Sequence, residues 1–250
     1  LIAGNTVILK HSTQTVLVGE RLASAFHSAG VPKDVFQNVF LDHEITTQLI
    51  AENSFDFINF TGSVPAGASI EKAAAGTFTG VGTELGGKDP GYVMEDADLE
   101  AAVETLIDGA MFNSGQCCCG IERIYVQESL FDDFLKKAIS IVSNYKLGNP
   151  LDMATTLGPM ANIRFANHVR DQISDAQKKG AIAHIKTFQE DNGGVYLTPQ
   201  ILTNVDHSMK IMTEESFGPV VGIMPVKDDL EAISLMNDSE FGLTVSLWTR

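Results

Sequence analysis

Phe57-Ile58-Asn59-Phe60-Thr61-Gly62-Ser63-Val64-Pro65-Ala66-Gly67 holds a strand, a turn and the start of a helix in one short stretch. The run Phe57 to Phe60 reads as a strand, Gly62 breaks it, and Ser63 can cap a helix running through about Ala75. The same alternation extends outward in both directions. Upstream, Thr6 to Leu9 is a short β-branched strand. A helix from Gln14 to about Ala29 carries Leu17, Leu22, Ala25 and Phe26 at helical spacing and stops at Gly30 and Pro32. Val35 to Phe40 is a strand and Glu44 to Ala51 a helix. Downstream, strands are predicted at Val81 to Leu85, Tyr92 to Met94, Arg123 to Gln127, Ala181 to Ile185, Val220 to Val226 and Leu243 to Trp248. Helices are predicted from Asp98 to about Asn113, after a Ser129/Asp132 capping signal with Phe131, Phe134, Leu135, Ala138 and Val142 on one face, from Arg164 to Lys179 and from Asp229 to Met236. Strands alternating with helices predict α/β architecture with doubly wound parallel sheets. The break at Gly86-Gly87-Lys88-Asp89-Pro90 predicts a domain boundary, with residues 1–85 in one domain and 86–250 in the next. Both ends look cut, because the chain opens in mid-pattern at Leu1-Ile2-Ala3-Gly4-Asn5 and stops at Trp248-Thr249-Arg250 as a strand finishes.

Composition narrows the functional classes. Of 250 residues 44% are hydrophobic and 20% charged, enough for a sizeable core without staples. Seventeen basic against 32 acidic residues give a net charge of −15, which argues against nucleic acid or an anionic membrane as the main partner. No apolar run approaches the length of a membrane span, and no leader pattern opens the chain; with reduced cysteines this predicts a cytoplasmic setting. The six histidines show no metal-ligand spacing, so no metal is expected.

All three cysteines fall in Phe112-Asn113-Ser114-Gly115-Gln116-Cys117-Cys118-Cys119-Gly120. Three in a row leave a thiol over and make a disulfide framework improbable, so a working thiol in a glycine-flanked turn is one reading. Small apolar side chains packing where a helix meets a strand is the other. A carboxylate at the end of an apolar run stands upstream, in Thr83-Glu84-Leu85-Gly86-Gly87-Lys88.

Together these two stretches resemble the signature pair of the aldehyde dehydrogenase superfamily, a glutamate in an E-L-G-G-K context and a cysteine in a G-Q-x-C context. The resemblance runs from Gly4-Asn5 to Phe241-Gly242-Leu243, roughly the middle half of a family member. It implies a Rossmann-like cofactor domain followed by an α/β catalytic domain, both truncated, and NAD- or NADP-dependent oxidation of an aldehyde through a thiohemiacetal and a thioester. By the same resemblance Cys118 is the nucleophile, Glu84 the general base, and Cys117 and Cys119 packing residues. Gly62, Ser63 and Gly67 match the family's G-S-x-x-x-G segment facing the cofactor pyrophosphate, although a plain glycine–serine cap explains them as well. Lys10 would reach the adenosine ribose or phosphate, and Leu85 would line the cofactor site. Thr13 stands where NAD-preferring members commonly carry a glutamate, which opens the site to NADP. Glu214-Glu215-Ser216-Phe217-Gly218-Pro219 matches E-E-x-F-G-P, so Glu215 would hold the nicotinamide ribose and Phe217 would lie beside the nicotinamide. Thr83, Met111 and Asp42-His43-Glu44 depart from commoner members. Lys10-His11 and Leu157-Gly158-Pro159-Met160 look most similar to bacterial succinate-semialdehyde dehydrogenases, and a homo-oligomer is expected of the full-length protein. The alternatives are an inactive or nucleotide-binding fragment, or an acylating member dependent on coenzyme A.

Overall fold

Val7-Ile8-Leu9 is too short to stand alone as a strand, and it is completed by parallel pairing with Phe36-Gln37-Asn38 across an intervening helix. The computed structural model describes residues 1–250 and divides into two units, Leu1–Glu84 and Leu85–Arg250. In the first unit β1 (Val7–Leu9), α1 (Val16–Ser28) and β2 (Phe36–Asn38) form one βαβ unit. After α2 (His43–Ala51), β3 (Phe57–Thr61), α3 (Val64–Ala74) and β4 (Gly80–Glu84) form another. Asp42 caps α2 through the Ile45 amide at 2.8 Å. Ser63 occupies the cap position of α3, but its side chain makes no capping bond, contrary to the sequence expectation. The β3–β4 register runs to Thr61 opposite Glu84, so both strands finish at the same edge.

The second unit contains β5 (Asp89–Val93), α4 (Leu99–Met111), β6 (Ile121–Gln127), α5 (Glu128–Ser143), α6 (Ile163–Lys178), β7 (Ile182–Ala183), β8 (Gln200–Thr203), α7 (Lys210–Thr213), β9 (Val220–Val226), α8 (Asp229–Asn237) and β10 (Ser246–Trp248). The strands make one six-stranded sheet in the order β10-β5-β6-β9-β8-β7, parallel except for the antiparallel edge strand β7. Alternate residues serve opposite faces: Val93 and Ile124 join the core beneath α4 and α5, while Tyr92 and Tyr125 join the core on the other face with residues of α6, α7 and α8.

Some local expectations were misplaced. β5 begins at Asp89 rather than Tyr92; Pro90, which cannot donate to a ladder, is tolerated because the β5–β6 register shifts between Asp89 and Pro90. Ser129 lies inside α5, whose cap position is Gln127, so the Ser129/Asp132 signal does no capping. β8 and α7 were not anticipated.

Candidate active site

In the first unit the relevant positions gather at the carboxyl ends of strands, where helix starts offer free amides. Gly62 follows β3 and donates its amide to the Glu84 carbonyl at 3.0 Å, so the glycine turn and Glu84 are neighbours. A β-carbon on Gly62 would meet the tip of the Phe60 ring at 2.6 Å, so a side chain here would have to push that ring aside. Ser63 leaves the first-turn amides of α3 without a side-chain acceptor, and Gly67 is buried in the helix's next turn. A helix start left open in this way fits a pyrophosphate. Lys10 directly follows β1, and Thr13 lies exposed in the turn before α1. Neither Ser12 nor Thr13 brings a negative charge near Lys10, so the residues present fit a ribose with a 2′-phosphate as well as one without. Glu84 ends β4 with its side chain exposed, not set against an apolar wall as its place in the sequence suggested. A separate cavity of about 750 Å³ lined by Glu20, His27, Phe36 and Asn38 includes none of these positions, and the residues that carry the chemistry argue against it as the nucleotide site.

In the second unit the edge is reversed. Leu85-Gly86-Gly87-Lys88 precedes β5, the cysteine turn precedes β6, and Glu215-Ser216-Phe217-Gly218-Pro219 precedes β9. Because β5, β6 and β9 are adjacent and parallel, three segments far apart in sequence meet at the amino edge of one sheet.

The cysteine turn is held in a shape few residues adopt. Asn113, Ser114 and Gly115 follow α4 with φ of 51°, 58° and 69°. Ser114 Oγ donates to the Gly158 carbonyl at 2.8 Å. Gln116 Nε2 donates to the carbonyls of Asn113 at 3.1 Å and Pro159 at 3.3 Å, while its Oε1 accepts the Ala161 amide at 2.7 Å. Leu157-Gly158-Pro159-Met160 therefore has a local role as the wall that ties down the turn. Cys118 is exposed, and no acceptor within the chain takes its amide. Cys117 is half-buried with Sγ 3.5 Å from Cys119 Sγ, and that contact, with burial a smaller cause, raises the Cys119 thiol above its ordinary value. Cys119 is exposed, so the expectation that it is a packing residue does not hold.

The glycine pair links the other segments. The Glu215 carboxylate fills the space a β-carbon on Gly86 would need. A β-carbon on Gly87 would stand 3.1 Å from the Cys118 carbonyl. Gly115 approaches the Gly218 backbone more closely still, since a β-carbon on it would overlap the Gly218 carbonyl. The Gly86-Gly87 backbone thus lies between the Glu215 carboxylate and the Cys118 carbonyl, and Phe217, next to Gly218, is partly exposed at a φ of 49°. Burial, and after it the neighbouring Glu122 charge, pushes the Glu215 carboxyl above its ordinary value.

Sequence reasoning missed what lies beneath. Lys88 and Glu122 form a buried ion pair at 2.7 Å, their side chains 0% and 6% exposed. Arg123 Nε donates to the Lys88 carbonyl at 2.9 Å, and its other nitrogens reach the Leu235 and Met236 carbonyls at 3.4 and 3.2 Å. A strand expected to begin at Arg123 left Glu122 as an ordinary turn residue, and nothing in the local pattern marked it.

The family model describing the aldehyde dehydrogenase family matches residues 1–250. A succinate-semialdehyde dehydrogenase [NADP(+)] of Deinococcus radiodurans is 35% identical over 97% of this chain and 51% of its own length. An NADP-dependent glyceraldehyde-3-phosphate dehydrogenase of Streptococcus equinus is 38% identical over all of this chain and 51% of its own. The solved structure of lactaldehyde dehydrogenase from Escherichia coli superposes with a TM-score of 0.93 at 36% identity, covering 99% of this chain and 52% of that one. This chain spans about half the length of the relatives it matches.

Proposed function

This chain belongs to the aldehyde dehydrogenase family, and on that premise we propose that the whole protein oxidises an aldehyde to a carboxylic acid with NAD or NADP, succinate semialdehyde being the first substrate to test. The observation that carries the reading is that the Gly86-Gly87 backbone lies between the Glu215 carboxylate and the Cys118 carbonyl, which brings the residue with the candidate thiol and a candidate ribose-binding carboxylate to one sheet edge.

The Cys118 sulfur attacks the aldehyde carbon, and the free Cys118 amide supports the oxyanion that forms. In the first unit Lys10 and the open start of α3, with Gly62, Ser63 and Gly67, suit the adenosine and pyrophosphate of the dinucleotide, and in the second Leu85, Glu215 and Phe217 suit its nicotinamide riboside. When bound, its nicotinamide supplies the acceptor for the hydride that leaves the tetrahedral carbon. Glu84 then takes a proton from the water that cleaves the Cys118 thioester. An exposed Glu84 suits this role, because its carboxylate must meet water. Thr13 leaves room for the 2′-phosphate of NADP.

The test follows reduced nicotinamide by absorbance in the whole protein with NAD and NADP and a panel of aldehydes. Cys118→Ser lowers turnover by about a thousandfold or more. Glu84→Gln keeps a single burst and lowers steady turnover by about a hundredfold to ten-thousandfold. Full activity in Cys118→Ser, or no turnover with any aldehyde, overturns the assignment.

A further inference from the structure

The segment from Glu215 to Phe217 alternates in exposure: Glu215 is half-buried, Ser216 buried and Phe217 partly exposed. What fixes it is behind it. Glu122 Oε1 accepts the Phe217 amide at 2.8 Å, and the Ser216 amide lies 2.8 Å from Oε2 and 3.1 Å from Oε1. Lys88 Nζ donates to Glu122 Oε2 at 2.7 Å and to Ser216 Oγ at 3.0 Å. Two successive amides, one belonging to a residue in the left-handed region, form a small concavity suited to an anion. Here a carboxylate of the chain's own fills it.

Stability alone does not explain this choice, because buried ion pairs are often matched or bettered by apolar residues of the same volume. An apolar pair cannot orient two backbone amides. The residues on either side of that pinned peptide are Glu215 and Phe217, the two side chains that the proposed function gives to the nicotinamide end of the cofactor.

We propose that Glu122, neutralised by Lys88, is a positioning residue that sets the Glu215–Phe217 segment in the conformation that receives the nicotinamide riboside. This rests on the reading of Glu215 and Phe217 given above. Glu122 touches neither substrate nor cofactor and acts only through the backbone it grips. Lys88 is the counter-ion that makes burial of that carboxylate tolerable. Its own amine is pushed below the ordinary lysine value by burial, with Glu122 opposing the shift.

The direct variant, Glu122→Gln, strands the Lys88 charge and is prone to misfold, so the decisive one is the double variant Lys88→Met with Glu122→Gln, which removes both charges at similar volume. The whole protein is titrated with NADPH and with NADH by fluorescence, and Cys118 alkylation by iodoacetamide is timed without nucleotide. The expected result is dinucleotide affinity weakened by about tenfold to a hundredfold, the scale of lost charge-assisted hydrogen bonds, with Cys118 alkylation changed less than about twofold. Dinucleotide affinity equal to the unmodified protein's overturns the inference, as does an equal loss in both readouts, which marks a merely structural pair. Glu215→Gln and Phe217→Ala separate the two levels. If they weaken binding while the double variant does not, only the role of Glu122 falls; if they leave binding intact, the reading of the segment falls and this inference with it.

Discussion

The carboxylate of Glu215 sits directly over Gly86, in the space that a β-carbon there would take. What blocks that space is the far end of a flexible side chain, which can swing away. Gly86→Ala is therefore expected to change stability by less than about 1 kcal/mol, since no backbone must yield. It displaces the carboxylate, so dinucleotide affinity in the whole protein falls. Urea unfolding and a nucleotide titration check both halves. Unchanged affinity would mean that Glu215 does not serve the cofactor from this position.

Glu215 also gives a signed dependence on pH. Burial, and then the Glu122 charge, raises its folded-state value above the ordinary 4.5, so folding favours the protonated form. The stabilisation from this group is complete below 4.5 and is lost as pH rises through the raised value. Glu215→Gln lacks this dependence and keeps nearly the same volume over Gly86. The stability advantage of Glu215→Gln over the unmodified chain should accordingly grow from pH 4.5 towards neutrality, as read by urea midpoints. A constant difference across that range removes the claim.

Apolar strands were plain in the sequence where β-branched runs declare themselves: Val220–Val226 was placed to the residue, and Val7–Leu9 nearly so. What escaped was built from residues that usually signal something else. Asp89-Pro90-Gly91 reads as a turn, yet these residues enter a central strand through a register shift. Gln200 opens β8 as a buried amide, satisfied by the Ile185 amide and carbonyl at 2.8 and 3.0 Å, which only the folded sheet supplies. Lys88 and Glu122 are charges that belong on a surface until each finds the other 34 positions away. Cys118, Glu84, Glu215 and Phe217 were singled out by their motifs, whereas the residues that grip them have no motif because their partners are distant in sequence. The edge was also unexpected: strand carboxyl ends suit the first unit, but in the second the candidate residues lie in the turns before β5, β6 and β9.

The thiols should react in an order set by their contacts. Cys119 is held above its ordinary value chiefly by its hydrogen bond with Cys117, so less of it is thiolate at a given pH. In a Cys118→Ser background, Cys117→Ala removes that partner and should speed alkylation of Cys119 by iodoacetamide at pH 8, measured by mass spectrometry of the labelled peptide. An unchanged or slower rate would show that the 3.5 Å contact between the two sulfurs does not govern Cys119.

Gly115 is the counterpart of Gly86 with the opposite outcome. A β-carbon here would meet the Gly218 carbonyl and the Pro219 nitrogen, which are backbone atoms that cannot rotate aside, and the residue has a φ of 69°. Steric overlap and left-handed strain therefore act together. Gly115→Ala should cost roughly 2–4 kcal/mol, the overpacking and conformational terms combined. The strain must be relieved by moving either the cysteine turn or the segment leading into β9, because Ser114 and Gln116 tie the turn to Gly158, Pro159 and Ala161. Those ties favour movement of the Gly218 side, carrying Phe217 with it. Urea unfolding measures the cost; Cys118 alkylation and dinucleotide affinity identify what moved. Lost dinucleotide affinity with near-normal Cys118 reactivity assigns the shift to the Phe217 segment. The reverse pattern would show that the turn is the softer element, and a stability change below about 1 kcal/mol would show that the close approach of Gly115 and Gly218 is not a constraint at all.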